Sequence, residues 1–120
     1  MTAPHIAIGK QGEDAAADYL IKHGYVILAR NVRTAGGEID LIARDTHQDI
    51  VFVEVKANKK QEAAFPPSIR VNVAKIARLR KAAELWLEAE CSRGADLGGR
   101  IDVIEVCEGK VTEHFEDVTG

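Results

Sequence analysis

The sequence predicts an α/β domain: a central mixed β-sheet of four to five strands flanked by helices, in the order α-β-β-β-α-β with a last β at the end. Three observations carry this. Helical and strand patterns succeed one another along the chain without a repeat or a low-complexity linker. Two neighbouring segments, "GGEIDLIAR" and "DIVFVEVKA", are apolar on both faces, which marks central strands rather than a wet edge. A long helical pattern then precedes a third apolar run, "RIDVIEVC".

The elements follow in order. "KQGEDAAADYLIKHG" is rich in good helix formers, with Gly24 placed to cap its end. "YVILARNV" is a strand. Gly36 and Gly37 make a turn before the next strand, not a phosphate loop. "GGEIDLIAR" and "DIVFVEVKA" form a hairpin around a short polar loop. "SIRVNVAKIARLRKAAELWLEAE" is a long helix starting soon after Pro66 and Pro67, and Trp86 packs in its core face. "CSRGADLGG" is a loop, "RIDVIEVC" a strand and "KVTEHFEDV" an edge strand.

At 120 residues the chain is one ordinary domain, and a 46% hydrophobic fraction supports a real core. No apolar run approaches the roughly 20 residues of a membrane helix. The start, "MTAPHIAIGKQGED", lacks the basic and apolar regions of a secretory signal. Cys91 and Cys107 have neither metal-type nor framework spacing, so a cytoplasmic protein with two inert thiols is expected. His5, His23, His47 and His114 show no paired ligand spacing and read as surface or structural residues. Asp102 is expected to pair with Arg100 or the long helix.

Charge is unevenly distributed. Residues 56–81 hold eight basic side chains (Lys56, Lys59, Lys60, Arg70, Lys75, Arg78, Arg80, Lys81) against Glu62 alone. That span carries +7 and leaves −10 for the rest of a chain whose net charge is −3. A local basic surface on an acidic protein suits a phosphate footprint; a solvated helix face is the other reading.

The hairpin poses the chemical question. With a turn over residues 45–49, Arg44 pairs with Ile50, Ile42 with Phe52, Asp40 with Glu54 and Glu38 with Lys56. Alternation then puts Glu38, Asp40 and Ile42 on one face and Ile39, Leu41 and Ala43 on the other. Opposed like charges destabilise a sheet, and a buried unpaired carboxylate costs several kcal/mol more. Something must compensate. Hard oxygen ligands favour Mg²⁺ or Mn²⁺, and Lys56 lies two residues on. A structural ion network involving Lys56 is the alternative. Glu13 shares a helix stripe with Ala16, Ala17 and Leu20, so a third carboxylate can reach the site or sit at its rim.

These residues resemble a known family. "GEID" followed by "VEVK" is similar to the metal-binding core of the restriction-endonuclease-like superfamily, written PD-(D/E)xK. More narrowly the chain resembles the YraN family of small bacterial proteins, described as endonuclease-like, through "GEDAAADYL", "GYVILARN", "GGEIDLIA", "FVEVK", "KIARLRKAAELWL" and "RIDVIEV". The resemblance implies a restriction-endonuclease-like core, Asp40 and Glu54 holding the metal, and the Val55 carbonyl as a further ligand. Lys56 would orient or activate the attacking water, and Glu13 would match the carboxylate on helix one. Two departures stand out: Asn58 where the family often has Arg, and "FPP" at residues 65–67 where a Gly usually follows the Phe.

The implied activity is Mg²⁺-assisted hydrolysis of DNA phosphodiesters. Arg70, Lys75, Arg78 and Lys81 would grip the backbone without reading sequence. An aromatic content of 5% disfavours stacking on single strands, so duplex or branched DNA is preferred. Two rivals stay open. Asn58 favours a nucleic-acid-binding module that does not cut. The apolar and acidic C-terminal part, net −7 from Ala82 onward, favours a scaffold that binds a partner protein; a homodimer or a DNA-processing partner protein is the expected company.

Overall fold

The computed structural model describes residues 4–58, 73–90 and 99–118. Seven elements follow one another: α1 (Pro4–Lys22), β1 (Val26–Thr34), β2 (Gly37–Arg44), β3 (Ile50–Asn58), α2 (Val73–Glu90), β4 (Gly99–Cys107) and β5 (Lys110–Phe115). The expected α-β-β-β-α-β-β order is the one found. The strands form one sheet in the order β1-β2-β3-β4-β5. β3 and β4 run parallel and every other neighbouring pair is antiparallel, so the sheet is mixed.

α1 begins six residues earlier than its sequence pattern suggested, with Pro4 in a first turn that needs no backbone N–H donor. Its end follows the expectation. Gly24 takes φ 88°, its N–H donates to the Ile21 carbonyl at 3.0 Å, and the Tyr25 N–H donates to the Leu20 carbonyl at 2.9 Å. That pair of bonds satisfies two carbonyls the helix would otherwise orphan. α2 is described from Val73, so the expected start of that helix at residues 68–72, Arg70 included, lies outside the described residues.

Each helix covers one face of the sheet. Beneath α1, Ala16, Ala17 and Leu20 pack on Leu41, Ala43, Val51, Val53, Ile104 and Val106. Beneath α2, Leu79, Ala82 and Ala83 pack on Ile39, Ile42, Ile50, Phe52 and Ile101. The Trp86 ring meets the Phe52 ring edge-on, centroids 5.8 Å apart, as core packing of that face requires. Burial of each large side chain contributes about 2 kcal/mol of hydrophobic stabilisation. Two buried faces explain why β2 and β3 read as continuous apolar runs.

The hairpin turn is residues 45–49, as expected. The Asp45 N–H donates to the Asp49 carbonyl at 2.9 Å, and its Oδ1 accepts the N–H groups of His47 at 2.8 Å and Asp49 at 2.9 Å. The register that follows pairs Arg44 with Ile50, Ala43 with Val51, Ile42 with Phe52 and Leu41 with Val53. There the ladder stops. The expected rungs Asp40–Glu54 and Glu38–Lys56 are not formed, and the two strands part at the end of the sheet where the acidic residues lie. The physical reason is the one that made the pair conspicuous: two carboxylates opposed across a tight ladder repel, while parted strands admit water and counter-charge.

Candidate functional site

The parting of β2 and β3 opens a cleft of about 340 Å³ between the strands and the first turns of α2. Its lining includes Glu38 and Asp40 from β2, Glu54 from β3, and Lys75 and Arg78 from α2. Sequence separations of 14 to 40 residues are thus closed by the fold: β2 and β3 supply acids, and α2 supplies bases one turn apart.

Asp40 does not stand opposite Glu54 as a ladder partner. Its Oδ2 accepts the Val55 backbone N–H at 2.8 Å, in place of a β2 carbonyl. Burial and the neighbouring Glu54 carboxylate push its pKa up to about 7, with Glu13 and Glu38 adding to the rise and the Val55 N–H opposing it. Glu54 is 9% exposed, and the ammonium of Lys75 lies 2.7 Å from its Oε1. Glu13 is half-buried on α1. Burial raises its pKa, the Asn31 side chain lowers it, and Glu38 and Asp14 raise it further. α1 approaches this end of the sheet closely because position 12 is glycine: a Cβ there would lie 3.0 Å from the Ala57 Cβ.

The remaining expected residues fall around this centre. Lys56, two residues beyond Glu54 on β3, is half-buried, and Val55 beside it is packed against the core under α1. Lys81 is exposed farther along α2, against the turn at Gly36, and does not line the cleft. Arg70 lies outside the described residues. Asp40, Glu54, Lys75 and Arg78 are therefore brought together, with Glu13 adjoining from the other face of the sheet. Asp40, Glu54 and Glu13 do not bring three ligand atoms within 4.8 Å of one another.

Among the described residues the group that does is Asp102, His114 and Glu116. Sequence reasoning missed this cluster, apart from the Asp102–Arg100 pair. Arg100 donates to Asp102 Oδ1 at 3.0 Å, to Asp45 Oδ2 at 2.7 Å and to the Tyr25 hydroxyl at 3.0 Å. His114 Nε2 lies 2.8 Å from Asp102 Oδ2, and the Tyr19 hydroxyl lies 3.1 Å from His114 Nδ1. An ionised carboxylate only accepts, so Nε2 carries the proton. Burial alone would raise the Asp102 pKa, but the bonds from His114, Arg100 and the Asp117 N–H hold it below the usual range. The cation position between these acids is already taken by a guanidinium, and the cluster is a satisfied structural network.

Comparison with known proteins places these residues in a wider set. A family model described as "Uncharacterised protein family UPF0102" matches residues 12–106, a span that includes Glu13, Asp40, Glu54, Lys56, Lys75, Arg78 and Lys81. A UPF0102 protein of Pseudothermotoga lettingae is 45% identical over 109 residues, covering 91% of this chain and 95% of the relative. One from Kosmotoga olearia is 41% identical over 110 residues, covering 92% and 90%. A third, from Trichlorobacter lovleyi, is 41% identical over 100 residues, covering 83% and 76%. Two solved structures show partial likeness. "Structure of EndoMS-dsDNA2 complex" aligns at TM-score 0.44 and 18% identity, over 76% of this chain and 35% of that one. "Crystal structure of SSO0001" aligns at TM-score 0.49 and 14% identity, over 96% and 52%. The chain thus spans about a third of the first and about half of the second.

Proposed function

The chain belongs to the uncharacterised protein family UPF0102, the YraN family its motifs resemble, and we propose that it is a metal-dependent nuclease acting on phosphodiester bonds of DNA. One observation carries the reading. Asp40, whose ionisation is opposed by burial and by the Glu54 carboxylate, shares a cleft with Glu54 and two exposed cations, Lys75 and Arg78. An acidic centre with a basic rim is the electrostatic arrangement a divalent cation and a phosphodiester require together.

The donor set fits a hard dication. Among the described residues the cleft offers carboxylate oxygens and no thiol or imidazole, which favours Mg²⁺ or Mn²⁺. Asp40 and Glu54 would hold it, with the Val55 carbonyl as the backbone ligand that the family resemblance implies and Glu13 adding negative charge from α1. Bound there, the ion supplies Lewis acidity toward a phosphoryl oxygen and a water of lowered pKa. The Val55 N–H fixes one oxygen of Asp40 and leaves the other for the site. Lys56 orients or accepts a proton from the attacking water. Lys75 and Arg78 bind the substrate phosphates as charges, without base contacts, so affinity falls with salt.

A second reading has its own support: binding without cleavage. The Lys75 ammonium already occupies one Glu54 oxygen, and Asn58 stands where a further cation is usual in the resembling family. The test is calorimetric titration of Mg²⁺ and Mn²⁺ into wild type and Asp40→Asn, with cleavage assayed in parallel on plasmid, linear and branched DNA. Metal binding and cutting by wild type alone support the nuclease. Metal-independent, salt-sensitive DNA binding with no product supports the module. No metal binding by wild type ends the catalytic reading.

A further inference from the structure

Strict alternation along β2 would put Ile39 on the same face as Leu41. The structure does not. Ile39 joins Ile42 in the core under α2, while Leu41 joins Ala43 in the core under α1. The side-chain parity therefore changes at Asp40. The β1–β2 ladder pairs Arg30 with Leu41 and Val32 with Ile39, and skips the couple between them, Asn31 and Asp40. Asn31 has φ 51°, the left-handed conformation that asparagine adopts at lower cost than most side chains. The two facing residues absorb the break together.

The break has a chemical consequence. A residue between two opposite parities sends its side chain to neither face. It points along the sheet, where Asp40 meets the Val55 N–H of the next strand. The Asn31 side chain, meanwhile, approaches the Glu13 carboxylate, and Glu13 acts in turn on Asp40. Asn31 is thus joined to both acids, to one through the backbone register and to the other through its amide.

We propose that Asn31 is a positioning residue of the acidic site: its left-handed backbone releases Asp40 from the β-ladder toward Val55, and its amide steers Glu13 toward the same opening. The role rests on the metal-dependent reading above. It goes beyond the carboxylates themselves, because Asn31 needs no contact with the ion or with nucleic acid.

Three variants of the full chain test it by Mn²⁺ calorimetry, with thermal unfolding alongside. Asn31→Gly keeps the left-handed backbone and removes the amide. Mn²⁺ binding is expected to weaken about fivefold with Tm nearly unchanged. Asn31→Val disfavours the backbone conformation, since a β-branched residue is a genuine outlier there. Binding is expected to weaken more than tenfold. Adding Asn31→Gly to Glu13→Gln should bring no further loss, because the amide acts through Glu13. Wild-type Mn²⁺ affinity in both Asn31→Gly and Asn31→Val overturns the assignment while leaving the metal site standing. So does an undiminished Asn31→Gly effect in the Glu13→Gln background. A wild-type chain that binds no Mn²⁺ overturns the metal site and this role together.

Discussion

Asp40→Asn should make the metal-free protein more stable, and only above the acid range. Asparagine keeps an oxygen to accept the Val55 N–H and discards the charge that Glu54, Glu13 and Glu38 oppose. The folded pKa of Asp40 is about 7, raised from 3.8. Between those values the native state holds a proton that the unfolded chain has released, so wild-type stability falls as pH rises through that window. Below about 4 the effect is absent, and above about 7 it is complete. From pH 5 to pH 8 some two units of the window remain, worth at most about 2.7 kcal/mol at roughly 1.36 kcal/mol per unit. Water in the open cleft reduces that figure. For a domain of this size the gap corresponds to a Tm difference on the order of 10 °C. The assay is thermal unfolding of both proteins by circular dichroism in EDTA at pH 5, 6, 7 and 8. The Tm of Asp40→Asn minus that of wild type should grow steadily across the series. Saturating Mn²⁺ at pH 8 should then raise wild type alone, since the proposed site needs both carboxylates. A pH-independent difference would refute the claim that Asp40 is held against its charge.

Three other outcomes follow from the same geometry. Lys75→Met should lower duplex-DNA affinity and flatten its salt dependence by about one phosphate's worth of slope, read by fluorescence anisotropy across a salt series. Asp102→Asn should destabilise the fold by about 3 kcal/mol, because the Arg100 guanidinium loses its buried partner; urea unfolding measures this, and DNA binding should be unaffected. Because the Asp102 pKa is held low, its contribution is present above the unfolded value and lost as pH falls through the folded one, so the variant and wild type should converge in acid. Phe52→Ala should cost about 3–5 kcal/mol in the same urea assay, since its ring is 1% exposed between Ile42, Ile101 and Trp86.

The sequence made legible whatever depends on local pattern. Apolar runs gave β2 and β3, and the turn at Asp45 fixed four rungs of their register. Gly24 marked the end of α1 because a left-handed cap has a short list of occupants. The two acids and the bases of α2 were likewise visible as charges set in apolar or helical surroundings. Two features were not visible. The parity change at Asp40 violates the alternation from which strand faces are inferred, and its partner Asn31 gives only a weak local sign. Arg100 joins Asp45, 55 positions away, and Tyr25, 75 away; both bonds exist only because β4 lies beside β3. The left-handed asparagine is the signal that could have been used: an Asn inside "LARNV", a strand pattern, is poorly suited to a strand and well suited to a break in one.

The two acidic clusters answer opposite questions, and the contrast supports the proposed site at Asp40 over the one at Asp102. Asp102 is fully buried, yet a guanidinium, an imidazole and a backbone N–H meet its oxygens, and its pKa is lowered. Asp102, His114 and Glu116 lie close enough for a metal, but closeness there reflects a cation already supplied by the chain. Asp40 has a backbone N–H for one oxygen and three carboxylates as its electrostatic surroundings, and its pKa is raised. A fold can retain such a group only at a standing cost to stability, and a cation from outside the chain removes that cost when it binds. Proximity of ligands is therefore the weaker criterion. A carboxylate held against its charge at the parted end of a sheet, beside exposed bases that no core requires, is the stronger one, and it favours the proposed site at Asp40 and Glu54 over Asp102, His114 and Glu116.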